Sequence, residues 1–185
     1  ASALIAAIET PDNQDAYRKD LLQYFDVDGS FQVLLMTCEG LDSMDTVERK
    51  KLSYRIQVYL EDITHNGSFF YYNSDFVLVA NALSEEYLCR LVEGAIKRGK
   101  RRMPGLQLCV GIGSRCMDIS QLSVSYQRAK AAAHIAMTQK KQVVKFDDCG
   151  LFRLLYMVKD KEILKEMETE CLAALEKHDR RYNAD

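Results

Sequence analysis

The fold is decided by the stretch SFFYYNSDFVLVA, residues 68–80, in which Asn73 and Ser74 separate two β-rich runs. Asparagine and serine accept tight-turn geometry and can bond their own backbone, so this stretch predicts a β-hairpin. An earlier run, FQVLLMT at 31–37, is almost continuously apolar, has the length of a strand and is flanked by glycines. That run predicts a buried strand that precedes the hairpin.

Helical patterns lie on both sides of the hairpin. Apolar residues recur at helical spacing from Met44 to Ile63, and a second pattern begins at Ser84 and gives way at Gly99. The other predicted elements are helices at 3–8, 12–25 and 151–175, strands at 106–113 and 143–146, and a helix that begins at Asp118 or Ser120.

This order of elements contains one βαββαβ unit, the split arrangement of ferredoxin-like folds. We therefore expect an α+β fold with a mainly antiparallel sheet, helices on one face of that sheet, and additional N-terminal and C-terminal helices. The predicted organisation is an N-terminal helical segment at 1–27, the α+β domain at 28–149 and C-terminal helices at 150–185.

Composition excludes several classes of protein. The 185 residues carry 25 Lys and Arg against 27 Asp and Glu, so there is no overall positive field for nucleic acid or anionic lipid. No apolar run approaches the roughly 20 residues that span a bilayer, and we expect no membrane contact. The three histidines, His65, His134 and His178, lack a ligand partner at metal-site spacing, so no metal is predicted.

The six cysteines are scattered, without a C-x-x-C pair or a zinc-finger spacing. Free thiols in apolar surroundings are typical of packing residues in a reducing compartment, which predicts a cytoplasmic protein. A thiol redox sensor is the alternative, and it would require an exposed cysteine with a lowered pKa.

A basic run at the end of the second long helix has two interpretations. Five cations occupy six residues: Lys97, Arg98, Lys100, Arg101 and Arg102. Cations complement the negative end of the helix macrodipole, which accounts for the run without any ligand. The alternative is contact with phosphate, including the backbone of a nucleic acid.

No motif for catalysis is complete in this sequence. Gly111 and Gly113 resemble part of a phosphate loop, but the third glycine and the lysine are missing, so we expect close packing there. The serines lack a G-x-S-x-G setting for a nucleophile. Of the carboxylates, only Glu39 and Asp75 stand at strand ends where two could converge on a metal.

Two ordered motifs resemble the GGDEF-like domain of PucR/CdaR-type bacterial transcriptional regulators. In that family a SYxxAxxA helix is followed by a strand and a DxGLxRLL helix, and this chain has VSYQRAKAAAHIA at 124–136 and VVKFDDCGLFRLL at 143–155. The matching residues are Ser125, Tyr126, Ala129 and Ala132, then Asp148, Gly150, Leu151, Arg153, Leu154 and Leu155. The resemblance runs from about Asp15 onward by the length of such a domain and implies a nucleotide-cyclase-like fold.

The resemblance also implies that the cyclase chemistry has been lost. Diguanylate cyclases, distant relatives of this family, hold metal and GTP with an acid at the end of the first strand and with the GGDEF hairpin. Here Thr37 stands at the acid position, with Glu39 two residues further on. The five residues of the GGDEF motif are replaced by Tyr72, Asn73, Ser74, Asp75 and Phe76. At the inhibitory R-x-x-D motif upstream, Ile63 and Asn66 stand in place of the arginine and the aspartate. A degenerate site of this kind predicts no cofactor, no metal and no enzyme activity.

The expected function is a noncatalytic regulatory, signal-relay or dimerisation domain of a transcriptional regulator. The resemblance implies a homodimer that contacts DNA only through a C-terminal helix-turn-helix absent from these residues, and the effector stays open. Two apolar stripes could serve a dimer or pack on their own domain: Leu21, Leu22 and Phe25, and Leu164, Met167, Cys171 and Leu175. The alternatives are a nucleotide-binding sensor or residual cyclase, and weak nucleic-acid binding through the basic run.

Overall fold

The structure is a computed structural model that describes residues 2–12, 14–22, 25–40, 43–63, 66–102 and 107–153. The chain divides into two units after Asp148, and every element named below belongs to the first unit. The helices are α1 (Ser2–Glu9), α2 (Gln14–Leu21), α3 (Thr46–Ile63), α4 (Glu85–Arg102) and α5 (Leu122–Thr138), and the strands are β1 (Phe31–Cys38), β2 (Gly67–Tyr72), β3 (Asp75–Asn81), β4 (Leu108–Ile112) and β5 (Val143–Lys145).

The five strands form one sheet in the order β2-β3-β1-β4-β5. The pairs β2–β3, β3–β1 and β1–β4 are antiparallel, and β5 joins β4 in parallel at the edge. An antiparallel sheet with the first strand between the third and the fourth is the arrangement that a βαββαβ unit produces. The predicted α+β fold with a mainly antiparallel sheet is therefore confirmed.

The predicted hairpin forms at the predicted residues. Tyr72 pairs with Asp75, and the two residues between them, Asn73 and Ser74, have φ angles of 48° and 70°. Positive φ at both central positions is the geometry of a type I′ turn, whose twist matches that of the two strands. Asparagine tolerates this conformation better than most residues, which is why this short turn closes without glycine.

Helices cover both faces of the sheet, so the expectation of helices on one face is wrong. Helices α3 and α4 pack on one face, and α1, α2 and α5 pack on the other. The reason lies in the strands themselves, because β1, β3 and β4 are buried along nearly their whole length. Alternate residues of such strands enter opposite cores, and each core needs its own layer of helices.

Several element boundaries differ from those predicted. Helix α4 runs through Gly99 to Arg102, because an interior glycine lowers helix stability by only about 1 kcal/mol and does not by itself end a helix. Helix α2 ends at Leu21, before Phe25. Asp118 caps a 3₁₀ turn that leads into α5, with its carboxylate accepting a hydrogen bond from the Ser120 amide at 2.8 Å.

The C-terminal predictions fall mainly outside the described residues. Of the second unit the structure describes residues 149–153, where the Phe152 amide donates to the Cys149 carbonyl. The predicted helix beyond residue 153 and the stripe from Leu164 to Leu175 lie outside that range. The boundaries predicted at 27/28 and 149/150 stay a prediction. No helix among the described residues is long and apolar enough to cross a membrane.

The described cysteines of the sheet region behave as packing residues. Cys38, Cys109 and Cys116 are buried and unbridged. Burial raises the pKa of Cys38 and of Cys116 to about 11, and it also raises the pKa of Cys109. A redox sensor needs the opposite shift, so the packing interpretation is confirmed for these three thiols.

Candidate functional site

The register of β1 and β3 brings the two cyclase-like positions to one end of the sheet. Met36 pairs with Phe76, and the next step along the two strands places Thr37 level with Asp75 at the start of β3. Glu39 follows β1 at the same end and is exposed. The backbone layout that the resemblance implies, with the first strand ending beside the hairpin turn, is therefore present.

Tyr72 occupies the position where the resemblance expects the first glycine of the hairpin. Its hydroxyl donates a hydrogen bond to the Glu9 carboxylate at 2.8 Å, and its ring centroid lies 5.7 Å from that of Tyr126. Burial, followed by the bond to Glu9, raises the pKa of Tyr72. A large side chain anchored to α1 and α5 thus stands where a glycine would leave the backbone open.

The polar groups around this turn do not form a cation site in the part of the chain that the structure describes. No group of three or more His, Cys, Asp or Glu side chains lies close enough there to hold a metal ion. Thr37 and Ser74 offer neutral hydroxyls, and Asp75 lies close enough to Cys38 to contribute to its raised pKa. Hard cations such as Mg²⁺ require several oxygen ligands, usually including carboxylates, at fixed positions.

The positions of the inhibitory motif lie at the other end of α3. Ile63 is the last residue of that helix, and Asn66 immediately precedes β2. The Asn66 carbonyl accepts a hydrogen bond from the Asn81 amide at 2.8 Å, which ties this turn to the end of β3. Asn66 therefore takes part in closing the sheet.

Helix α4 separates the basic run into two sets. The first four side chains of the run are exposed, but Arg98 and Arg101 line a groove between α3 and α4, whereas Lys97 and Lys100 do not. The side chain of Arg102 lies outside the described set. Neither the macrodipole interpretation nor the phosphate-contact interpretation of the run predicts that Arg98 and Arg101 share a groove with α3.

The groove has a cavity volume of about 640 Å³ and is lined by Tyr54, Arg55, Val58, Arg98 and Arg101. Tyr54 is 68% exposed on α3. Sequence reasoning missed Tyr54 and Arg55, although an exposed aromatic residue on the polar side of an amphipathic helix is a usable signal.

A contact between α3 and α4 supports one arginine of the groove. The Arg98 guanidinium lies 4.5 Å from the centroid of the Tyr59 ring, a cation–π distance. Tyr59 is only 7% exposed, and a Cβ atom added at Gly94 would lie 1.6 Å from its hydroxyl oxygen. Only glycine leaves room for Tyr59 against α4, and Tyr59 in turn supports Arg98.

The part of α5 that carries the SYxxAxxA motif packs closely against two glycines at the end of β4. A Cβ atom at Gly111 would lie 2.2 Å from the Ala129 carbonyl oxygen and 2.2 Å from the Ala133 nitrogen. One at Gly113 would lie 2.1 Å from the Ser125 carbonyl oxygen. The expected packing role of these two glycines is confirmed, and they match the small residues of α5.

Ser125 links the sheet to the loop after β4. Its Oγ accepts a hydrogen bond from the Val33 amide at 3.0 Å and donates to the Ser114 carbonyl at 2.8 Å. The Ser114 hydroxyl in turn donates to Asp147 at 2.6 Å. Ser125 is buried, so this motif serine has a structural role and is not an exposed nucleophile.

This chain is similar to a family profile and to solved structures of known proteins. The profile of the GGDEF-like domain matches residues 4–135. No curated protein sequence matches the chain. The chain is similar to the crystal structure of a DGC protein from Thermotoga maritima, with 16% identity and a TM-score of 0.41 over 63% of this chain and 92% of that chain. Because the domain profile covers more than half of the 185 residues, the chain belongs to the GGDEF-like domain family.

Proposed function

We propose that this chain is a noncatalytic regulatory domain of a cytoplasmic, PucR/CdaR-type transcriptional regulator, which relays a signal or self-associates. The observation that carries the proposal is the side chain of Tyr72 at the hairpin, with its hydroxyl on Glu9 and its ring beside Tyr126. The DNA-binding segment of such a regulator would be a helix-turn-helix outside these 185 residues.

The hairpin chemistry supports the absence of turnover. Synthesis of a cyclic dinucleotide needs a metal that neutralises the triphosphate and activates the attacking hydroxyl. Thr37 and Ser74 supply neutral oxygens at the two aligned positions. A nucleotide that approached the hairpin backbone would also have to displace Tyr72 from two contacts, one of them to a charged carboxylate.

The same residue supports a role in signal relay. Tyr72 joins α1, the first helix of the chain, to the hairpin and to α5, which leads toward the C-terminal region. In the resembled regulators the sensor region precedes this domain and the DNA-binding region follows it. A displacement of α1 would therefore reach the hairpin through the hydrogen bond between Tyr72 and Glu9.

Self-association cannot use the whole first apolar stripe. Leu21 is buried, and Phe25 packs against the same core, which leaves Leu22 as the exposed member at 56% exposure. The proposed homodimer must therefore use other surface. Sedimentation velocity at high micromolar concentration should show a dimer, and a monomer throughout would contradict this part of the proposal.

Incubation with GTP and either Mg²⁺ or Mn²⁺, followed by chromatography, tests the noncatalytic assignment. We expect no cyclic product from the unaltered chain. Product that disappears in Asp75→Ala or Glu39→Ala, but persists in a matched control such as Asp147→Ala, would show that the chain is an enzyme. Product that is unchanged in all three variants would indicate a contaminating cyclase, because Asp75 and Glu39 are the carboxylates closest in sequence to the aligned positions Ser74 and Thr37.

A further inference from the structure

The groove between α3 and α4 carries three guanidinium groups from two helices. Arg55 belongs to the middle of α3, and Arg98 and Arg101 belong to the last turns of α4. A cleft lined by charges of one sign concentrates its field and attracts ions of the opposite sign. Its volume of about 640 Å³ falls within the range of small-molecule sites.

The helix macrodipole does not account for this arrangement. It favours cations near the C-terminus of α4, but Arg55 lies far from either end of α3. The Arg98 guanidinium lies 4.5 Å from the centroid of the Tyr59 ring, so a contact to α3 also holds it. The macrodipole therefore leaves the position of Arg55 without an explanation.

The three arginines also lack an acidic counterpart within the described ranges. The ion pairs found there join Arg18 with Asp28, Arg90 with Glu86, and Lys145 with Glu85, and none involves Arg55, Arg98 or Arg101. Like charges that face one cleft repel each other unless an anion enters. Among the described residues, the groove thus has three arginines without an ion-pair partner, together with a contact that supports Arg98.

We propose that the α3–α4 groove binds a small phosphate-bearing ligand without a metal ion. Phosphoryl oxygens would accept paired hydrogen bonds from the planar guanidinium groups of Arg98 and Arg101, with Arg55 closing the site from α3. The exposed ring of Tyr54 and the side chain of Val58 give the groove an apolar wall for the organic part of the ligand. This site is separate from the hairpin and does not depend on the proposed regulatory role.

Isothermal titration calorimetry with inorganic pyrophosphate, and separately with guanosine triphosphate in the absence of divalent cations, tests the proposal. We expect saturable binding of one ligand per chain. Arg55→Gln, Arg98→Gln and Arg101→Gln should each weaken binding about tenfold, because each removes a hydrogen bond between charged groups. Arg98→Lys should also weaken it, since lysine keeps the charge but loses the planar pair of donors.

Lys100→Gln is the matched control, because it removes one positive charge from the same run but not from the groove. Binding in this variant should stay within about twofold of the unaltered chain, as expected for a screened surface charge. Circular dichroism and thermal unfolding of each variant establish that the fold is retained. Tighter binding of guanosine triphosphate than of pyrophosphate would show that the Tyr54 wall contributes, and equal binding would show that phosphate alone is recognised.

Three results would overturn the proposal. The first is a titration that shows neither binding heat nor saturation with pyrophosphate or with guanosine triphosphate. The second is a Lys100→Gln variant that binds as weakly as Arg101→Gln, which would show diffuse attraction. The third is binding restricted to duplex DNA, with an affinity that falls steeply with salt, which would assign the basic run to nucleic acid. None of these results bears on cyclase activity or on self-association, so the two proposals fail separately.

Discussion

The two faces of the sheet are packed in different ways. On the α5 face, Gly111 of β4 and Gly113 just after it meet small residues of α5, so the helix backbone approaches the sheet directly. On the α3–α4 face, large side chains fill the core, and Tyr59 lies between the helices against Gly94. The first face leaves no room for a ligand at the contact, whereas the second leaves a charged groove.

This difference separates the residues of the α5 motif from the residues of the groove. The motif that carries the family resemblance, from Ser125 to Ala132, lies on the α5 face and is used for packing. The arginines that could recognise a ligand lie on the other face, outside that motif. Substitutions should therefore affect stability on the α5 face and groove properties on the α3–α4 face.

The largest effect is expected from Gly111→Ala. The new methyl group would meet backbone atoms of α5, which cannot move aside as a side chain can. We expect the free energy of unfolding to fall by about 3 kcal/mol or more. Urea unfolding measures this loss, and Gly99→Ala is the control.

A Cβ atom at Gly99 would lie 3.7 Å from the Leu108 Cδ2 atom, which is an ordinary contact. Because alanine favours the helix more than glycine does, Gly99→Ala should stabilise the protein by about 0.5–1 kcal/mol. A similar result for both glycine variants would contradict the close-packing account of the α5 face.

The second largest effect is expected from Ser125→Ala. This change leaves the buried Val33 amide without its acceptor and removes a donor from the Ser114 carbonyl. An unsatisfied buried polar group lowers stability by about 1–3 kcal/mol. Thermal unfolding should show that loss, while Ser123→Ala, two residues away on the same helix, should be nearly neutral.

Gly94→Ala should have a smaller effect on stability and a clear effect on the groove. The displaced atom is the end of the Tyr59 side chain, which can move, and the gain in helix propensity offsets part of the strain. We expect a net loss of about 1 kcal/mol. The Tyr59→Leu background should remove most of that loss, and an unchanged loss in that background would show that Tyr59 is not the cause.

The smallest effect is expected at the ion pair between Glu85 of α4 and Lys145 of β5. Its hydrogen bond lowers the pKa of Glu85 and raises the pKa of Lys145. The stability contributed by Glu85 is therefore present above the ordinary carboxyl pKa and is lost as the pH falls through the lowered value. The stability contributed by Lys145 is present below the ordinary lysine pKa and is lost as the pH rises through the raised pKa of Lys145.

Thermal unfolding of Glu85→Gln should show a slightly lower midpoint than the unaltered chain at pH 7, and this difference should shrink toward pH 3. Added salt should shrink it as well. Glu86→Gln is the control, since it removes a carboxylate from the same helix start without touching Lys145. A difference that grew in acid would contradict the assigned direction of the Glu85 pKa.

The sequence predicts well what is encoded locally. The turn at Asn73 and Ser74 follows from two adjacent residues, and the sheet order follows from the sequence of strands and helices. The two-sided covering of the sheet could also have been predicted, because the run at 31–37 is apolar at consecutive positions and such strands are buried on both faces. The ferredoxin-like analogy predicts helices on one face only, and it is wrong on this point.

The groove was beyond sequence reasoning for a physical reason. Arg55 and Arg98 belong to different helices, and their convergence depends on how closely α3 and α4 approach, which the Gly94–Tyr59 contact determines. One part of the signal was available. Gly94, Arg98 and Arg101 are spaced four and three residues apart and share a helix face, which separates the two arginines from Lys100.

The docking of α1 has a consequence for how the chain folds during synthesis. Leu4, Ala7 and Ile8 of α1 are buried in the core that α5 completes, and α1 packs against α5 itself. At about 5–20 residues per second, the ribosome needs roughly 6–23 s between the end of α1 and the start of α5. The apolar side of α1 is therefore made early and covered late, and chaperones can bind it in the nascent chain during that interval.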